Sequence, residues 1–243
     1  MLKYGLLGKN ISYSFSRGYF TEKFRREGIS ATYENFDLQD ISKFSEVLKK
    51  NPELQGLNVT IPYKEQIIPF LDELDPVAAE IGAVNTIKFI NNGQLIGYNT
   101  DHFGFTEAIR PHLKEHHKKA LILGTGGASK AVHYALKALG MEVRFVSRTP
   151  AEKVLSYYEL NKSTFSEYTV IVNCTPLGTF PGTDQFPPVP TDFFSSKHLV
   201  FDLIYNPPVT KLMEIARSKG ATVVNGQRML ELQAEKAWDI WNS

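Results

Sequence analysis

The sequence is poor in several things, and each shortage excludes something. Its 243 residues hold a single cysteine, Cys174, so no disulfide can form within the chain. One thiol is compatible with a reducing compartment. Neither sign of charge dominates: 27 lysines plus arginines face 26 aspartates plus glutamates, a net of +1. That argues against an obligate polyanion binder and so against nucleic acid, while leaving room for a local basic pocket that takes a phosphate. No apolar run approaches the length of a membrane span. The opening MLKYGLLGKN is broken by Gly8, Lys9 and Asn10 before the apolar core of a secretory signal is built. The expectation is a cytoplasmic protein with no membrane and no nucleic-acid partner. Internal repeats and low-complexity tracts are also missing. What is present is ordinary globular composition, 42% hydrophobic and 22% charged, in a chain long enough to bury a core without metals or disulfides.

Hydrophobic periodicity divides the chain. In the first hundred residues Lys3–Leu7, Ala31–Phe36 and Leu57–Ile61 read as strands, and Arg17–Arg26 and Ile41–Lys50 as helices. Pro62 is placed to open a further helix. Asn91-Asn92-Gly93 between Ala83–Ile90 and Gln94–Tyr98 is a hairpin signal. This is a mixed α/β pattern. The second half alternates more regularly: strands at Ala120–Leu123, Glu142–Val146, Val170–Val172, Val200–Leu203 and Thr222–Val224, with helices at Lys130–Leu139 and Thr210–Lys219. Strands alternating with helices predict a parallel, doubly wound sheet. The proline-rich stretch Pro176–Pro190 reads as a long functional loop. The last helix, Gln227–Trp241, carries Leu230, Ala234, Ala237 and Trp241 in one stripe and is expected to pack back on the first half.

The first chemical signal is Gly124-Thr125-Gly126-Gly127-Ala128-Ser129, between a strand and a helix. Glycines there let the backbone approach a pyrophosphate, and the helix N-terminus offers unpaired amides to its charge. Ser129 stands where the usual fingerprint has a third glycine. The next strand ends in Ser147-Arg148-Thr149 with no acid to hold ribose hydroxyls. Arg148 is suited to fork onto a 2′-phosphate, with Ser147, Thr149 and Lys153 beside it, so NADP is expected rather than NAD.

Polar residues also gather where an apolar core would be expected. Ser12, Ser14 and Ser16 alternate, sharing a face if extended or capping the helix that begins near Arg17. Asn58 and Thr60 share a strand face, with Lys64 expected just inside the next helix. Gly82-Ala83-Val84-Asn85-Thr86 and Asn99-Thr100-Asp101 bring amide, hydroxyl and carboxylate groups to strand ends.

Together these segments resemble the shikimate dehydrogenase family along nearly the whole chain. The resemblance rests on Ser14-Phe15-Ser16, Asn58-Val59-Thr60-Ile61-Pro62-Tyr63-Lys64, Gly82 to Thr86, Asn99-Thr100-Asp101, Gly124 to Ala128, Ser147-Arg148-Thr149, Asn173-Cys174-Thr175-Pro176, Asp202-Leu203-Ile204-Tyr205-Asn206-Pro207, and Gly226 through Met229-Leu230 to Gln233. It implies reversible NADP-dependent reduction of 3-dehydroshikimate to shikimate in aromatic compound biosynthesis. It implies an N-terminal mixed α/β substrate domain, residues 1–100, with helix 227–243 packed on it, and a doubly wound Rossmann-type NADP-binding domain, residues 101–226. Lys64 and Asp101 would be the catalytic pair. Ser14, Ser16, Asn58, Thr60, Asn85, Asp101, Tyr205 and Gln233 would line the substrate site. Gly124, Thr125, Gly126, Gly127, Ala128, Ser147, Arg148, Thr149, Lys153, Thr175, Leu203 and Gly226 would meet the cofactor. The expected partner is the small-molecule substrate alone, with the chain a monomer or homodimer.

Four positions depart from the family pattern: Tyr13 for histidine, Arg17 for proline, His102 for glycine and Ser147 for asparagine. The first two leave room for changed specificity, so an NAD-using quinate/shikimate dehydrogenase of the same fold is the nearest alternative. A non-catalytic nucleotide-sensing protein is the alternative from another class, and the presence of both Lys64 and Asp101 speaks against it. No metal is expected: His112 and His116 stand at helical spacing, but with no third ligand they and His117 read as a solvated cluster. Cys174 lacks an evident base, and Trp238 and Trp241 read as core anchors of the last helix.

Overall fold

In the first half, β1 (Leu2–Gly8) is followed by α1 (Phe15–Glu27), β2 (Ala31–Asp37), α2 (Phe44–Lys50), β3 (Leu54–Val59), β4 (Glu73–Leu74), α3 (Pro76–Ile81), β5 (Thr86–Phe89) and β6 (Leu95–Tyr98). The second half runs α4 (Asp101–Ile109), β7 (Lys119–Leu123), α5 (Gly127–Ala138), β8 (Glu142–Ser147), β9 (Val154–Ser156), α6 (Lys162–Glu167), β10 (Val170–Asn173), β11 (Leu199–Asp202), α7 (Lys211–Ser218), β12 (Thr222–Asn225) and α8 (Gln227–Asn242). This computed structural model describes residues 1–12, 14–90, 93–149 and 151–243. Tyr13 and the Asn91-Asn92 of the expected hairpin lie outside them. The strands on either side, β5 and β6, do pair antiparallel. Among the described residues no helix is long and apolar enough to cross a membrane.

The chain divides into two compact units, one of Met1–Thr100 with Ala234–Ser243, the other of Asp101–Gln233. The first unit holds a six-stranded mixed sheet in the order β2-β1-β3-β5-β6-β4. β1, β2 and β3 are parallel, and the sheet changes direction at the antiparallel β3–β5 pair. One core contains Leu7, Phe44, Leu57, Ile67 and Ile87. Another joins Tyr4, Phe20, Phe24 and Tyr33 to Ala234, Ala237 and Trp241 of α8, which explains the apolar stripe on that helix. The stripe belongs to its later turns only. Residues 227–233 fall in the second unit, where Met229 is buried with Phe105 and Ala108, so the division comes later than the expected boundary after Gly226.

The second unit is a parallel sheet in the order β12-β11-β10-β7-β8-β9. Its central strands β7, β10 and β11 are apolar on both faces: Leu121, Ile122, Val170, Ile171, Leu199 and Val200 are fully buried. That is what helices on both sides of a parallel sheet require. One core includes Val132 and Leu136 of α5, the other Phe165 of α6 and Leu212 of α7.

Candidate active site and cofactor turn

In the first unit one of the two readings of the serines is borne out and the helical placing of Lys64 is corrected. The serines are not an extended run. Ser14 is the N-cap of α1, its hydroxyl accepting from Arg17 N at 3.4 Å, and Ser16 lies in the first turn. The capping alternative is therefore what forms. Nor does Lys64 sit in a helix. Residues 61–67 form turns after β3, with the Ile61–Pro62 peptide cis. The Lys64 carbonyl accepts from Val84 N at 2.7 Å, a bond that takes it out of any helical ladder. The half-buried Lys64 is thereby tied by its backbone to the segment leading into β5.

A polar network is buried inside the same unit. Asn58, Asn85, Thr86 and Thr100 are each no more than 4% exposed. Asn58 donates to Thr86 Oγ1 at 3.2 Å and to the Asn85 carbonyl at 3.3 Å. Asn85 donates to Thr100 Oγ1 at 3.0 Å and accepts from Thr100 N at 2.7 Å. Buried amides and hydroxyls are costly unless paired, and here they pair with one another, fixing their orientation. Thr60, half-buried just past β3, is held by its amide on the Leu7 carbonyl. Tyr33 joins this network and was not singled out in the sequence: its hydroxyl donates to Asn58 Oδ1 at 2.8 Å and is bonded by Ser16. Burial pushes this phenol's pKa up. So Ser16, Asn58 and Asn85 belong to one connected set.

In the second unit Asp101 is the buried first residue of α4. Here, too, is the glycine turn. Gly124 closes β7 in a left-handed conformation (φ +101°), its amide bonded to the Val146 carbonyl of β8 at 2.9 Å. Gly126 is the N-cap of α5 and brings no side-chain cap to the helix. The first amides of a 12-residue helix are thus left without a side-chain acceptor, and Thr125 and Gly126 are exposed. This is the donor set a phosphate needs. Gly127 and Ala128 are already inside α5. Ser129 is buried and turns its hydroxyl back to the Gly126 carbonyl at 2.6 Å, so it shapes the turn from within.

Ser147 ends β8 and accepts from Thr149 N at 3.3 Å. Arg148 beyond it is exposed, and Lys153 is exposed in a left-handed conformation (φ +64°). Two cations therefore stand in the chain segment following β8. At the ends of β10 and β11 a second buried network forms: Asp202 accepts from Asn173 Nδ2, Ile204 N and Thr210 Oγ1, while Asn173 Oδ1 takes both the amide and hydroxyl of Thr175. Gly226 follows β12 so close to Leu203 that a Cβ there would fall 2.0 Å from the Leu203 carbonyl oxygen. Tyr205 is half-buried after β11. Gln233 is buried near the middle of α8, donating to the Leu230 carbonyl at 2.9 Å.

The histidine reading changes in part. Residues 113–118 are not helical, and His117 is buried rather than solvated. Its Nδ1 accepts from Lys114 N, and both His116 and His117 reach the Lys197 carbonyl. Among the described residues no three His, Cys, Asp or Glu gather to hold a metal ion. The Cys174 thiol is pushed up by burial and by Asp202, which suits an inert sulfur rather than a nucleophile.

The fold and the uncapped glycine turn define a Rossmann-type nucleotide-binding unit joined to a mixed α/β unit. Comparison with known proteins agrees. A family model, the shikimate dehydrogenase substrate binding domain, matches residues 6–87. Shikimate dehydrogenase (NADP(+)) of Clostridium botulinum is 37% identical over 250 residues, covering 98% of this chain and 95% of the relative. The crystal structure of shikimate dehydrogenase from Aquifex aeolicus superposes with a TM-score of 0.89 at 35% identity, over 100% of this chain and 92% of that one. The Thermus thermophilus enzyme, solved in complex with NADP(H) and shikimate, gives a TM-score of 0.87 at 32% identity, over 99% and 93%. The chain belongs to the shikimate dehydrogenase family.

Proposed function

We propose that this chain catalyses the reversible, NADP-dependent reduction of 3-dehydroshikimate to shikimate. The observation that carries the reading is similarity over 98% of the chain to relatives named shikimate dehydrogenase (NADP(+)). In this reading residues 1–100 with helix 227–243 form the substrate-binding part, and residues 101–226 bind NADP.

The glycine turn and the amides of α5 would hold the pyrophosphate, with Gly124 to Ala128 as its cradle. Arg148, with Ser147, Thr149 and Lys153, would take the 2′-phosphate, a contact that a cofactor without that phosphate cannot make. Thr175, Leu203 and Gly226 complete the cofactor set. When bound, the cofactor supplies or accepts the hydride. The chain's residues do the rest. Ser14, Ser16, Asn58, Thr60, Asn85, Tyr205 and Gln233 orient a polar substrate, and their hydrogen bonds would go unpaired with an apolar analogue. Lys64 Nζ holds the proton that the nascent alkoxide needs and takes it back in oxidation. Asp101 is its proposed catalytic partner and binds the same substrate hydroxyl.

Following the NADPH absorbance band with shikimate and NADP supplied tests the reading. A shikimate-dependent rise supports it; no rise at any pH would overturn it.

A further inference from the structure

Asp202 carries a buried carboxylate that the proposed chemistry does not use. It is wholly inaccessible to solvent, and its three hydrogen-bond partners among the described residues are all neutral. Three donors converge on it: Asn173 Nδ2 at 3.0 Å and Ile204 N at 3.1 Å on Oδ1, Thr210 Oγ1 at 2.7 Å on Oδ2. Asn173 and Asp202 are register partners at the ends of adjacent strands β10 and β11, so the carboxylate sits where both chains leave the sheet.

Its connections fan out to the loops named for the cofactor. Through Asn173 it reaches Thr175, whose amide and hydroxyl both donate to Asn173 Oδ1 at 3.0 and 2.7 Å. Thr175 in turn lies against Gly124 of the glycine turn. Through the Ile204 amide it shapes the Leu203-Ile204 segment, on which Gly226 rests with its amide bonded to the Ile204 carbonyl at 3.1 Å. Thr210, the third donor, is the N-cap of α7.

We infer that Asp202 is a positioning residue for the cofactor site: its ionised carboxylate holds Thr175, Leu203 and the glycine turn in register, and protonating it loosens NADP binding. The inference rests on the NADP reading above. All three partners are built as donors, which suits an acceptor-only anion, and hydrogen bonds to an ionised acceptor are about twice as strong as neutral ones. Burial pushes the carboxyl pKa up to about 6, against the pull of its three hydrogen bonds. Among the described residues the titratable group coupled to it is the Cys174 thiol, itself held neutral by burial. A buried charge with a raised pKa lowers stability at neutral pH, because the folded chain binds a proton more readily than the unfolded one between about pH 4 and 6. Acidification through that window therefore improves Asp202's contribution to stability while it removes the charge that organises the site. Perturbed carboxyls that cost stability are characteristic of functional sites.

The test is NADPH binding by the full chain, followed by the cofactor's own fluorescence from pH 8 to 5, with melting temperatures alongside. Ionisation of the cofactor is common to all variants and cancels in their ratios. Relative to Asp202→Asn, the parent should lose about tenfold more affinity by pH 5, the one-proton limit for a group titrating near 6. Asp202→Asn should bind weakly at pH 8 as well, yet melt no lower than the parent there. Thr210→Val, which removes one donor to the anion, should move the parent's midpoint to higher pH, and Thr210→Ser should restore it. Parallel losses in parent and Asp202→Asn, or an unmoved midpoint in Thr210→Val, would overturn the inference. So would an Asp202→Asn chain whose melting point and affinity fall together at every pH, which would mark the residue as structural only. Failure of the NADP reading shows separately, as a parent that turns over no shikimate; a parent that binds no NADPH contradicts both.

Discussion

Tyr33 donates its hydroxyl to Asn58 Oδ1 at 2.8 Å and is bonded in turn by Ser16. One buried phenol on β2 thus connects the first turn of α1 with the end of β3, although β2 and β3 are separated in the sheet by β1. Two residues proposed for the substrate are held by a third that need not touch it. The Tyr33 ring is fixed by stacking on Phe20 at 4.7 Å.

Tyr33→Phe keeps that stacking and removes the link. Asn58 Oδ1 then lacks its donor, at a cost of about 1–3 kcal/mol. The expected result is a raised KM for shikimate with the KM for NADP unchanged, checked by steady-state kinetics beside a melting curve. Equal increases in both KM values would show that Tyr33 does not organise the substrate side.

Gly56→Ala should destabilise the first unit. A Cβ at this position would lie 2.3 Å from Trp241 Nε1, the atom that donates to the Ile87 carbonyl at 3.0 Å. The indole is wedged between Tyr4 and Phe20, ring centroids 4.9 and 5.4 Å away, and cannot swing aside as a flexible chain end would. Overpacking of this kind costs about 1–3 kcal/mol. Denaturant unfolding should show it as a lower midpoint; an unchanged midpoint would mean that the C-terminal turns of α8 add little to the fold.

Much of the architecture was legible in the residues. The parallel unit reads from alternating strands and helices because its central strands β7, β10 and β11 are buried on both faces. The glycine turn reads because Gly124 has a positive φ and Gly126 begins the helix without a side-chain cap. Local patterns misled where a long-range bond decided the conformation. Lys64 looks helical after a proline, but its carbonyl is claimed by Val84. Tyr33 and Asp202 were passed over as residues with a role of their own for a related reason. A tyrosine in an alternating strand resembles core, and an aspartate ending a strand resembles a turn, until strand order brings Asn58 and Asn173 to them.

Arg148→Ala tests the cofactor assignment. In that assignment the forked, charge-assisted contact is made to the 2′-phosphate alone, so affinity for NADP should drop at least about tenfold with little change for NAD. Titrating both cofactors decides it, since equal losses would point to a structural arginine.

Lys64→Ala should lower kcat by at least about 10²-fold, the usual scale for a positioned acid–base group, with NADPH binding and melting nearly unchanged. Asp101→Asn should also lower kcat. The combined variant should lose less than the product of the two, because residues serving one proton transfer are not independent. Near-normal kcat in Lys64→Ala would reduce the lysine to a bystander.

The most direct measurement is the initial rate of reduced-cofactor formation by the full chain, NADPH or NADH, with shikimate and quinate each offered with NADP and with NAD. The account predicts its fastest rise in absorbance with shikimate and NADP, and a marked loss when either is exchanged. No shikimate-dependent rise, or a faster one with quinate and NAD, would contradict it.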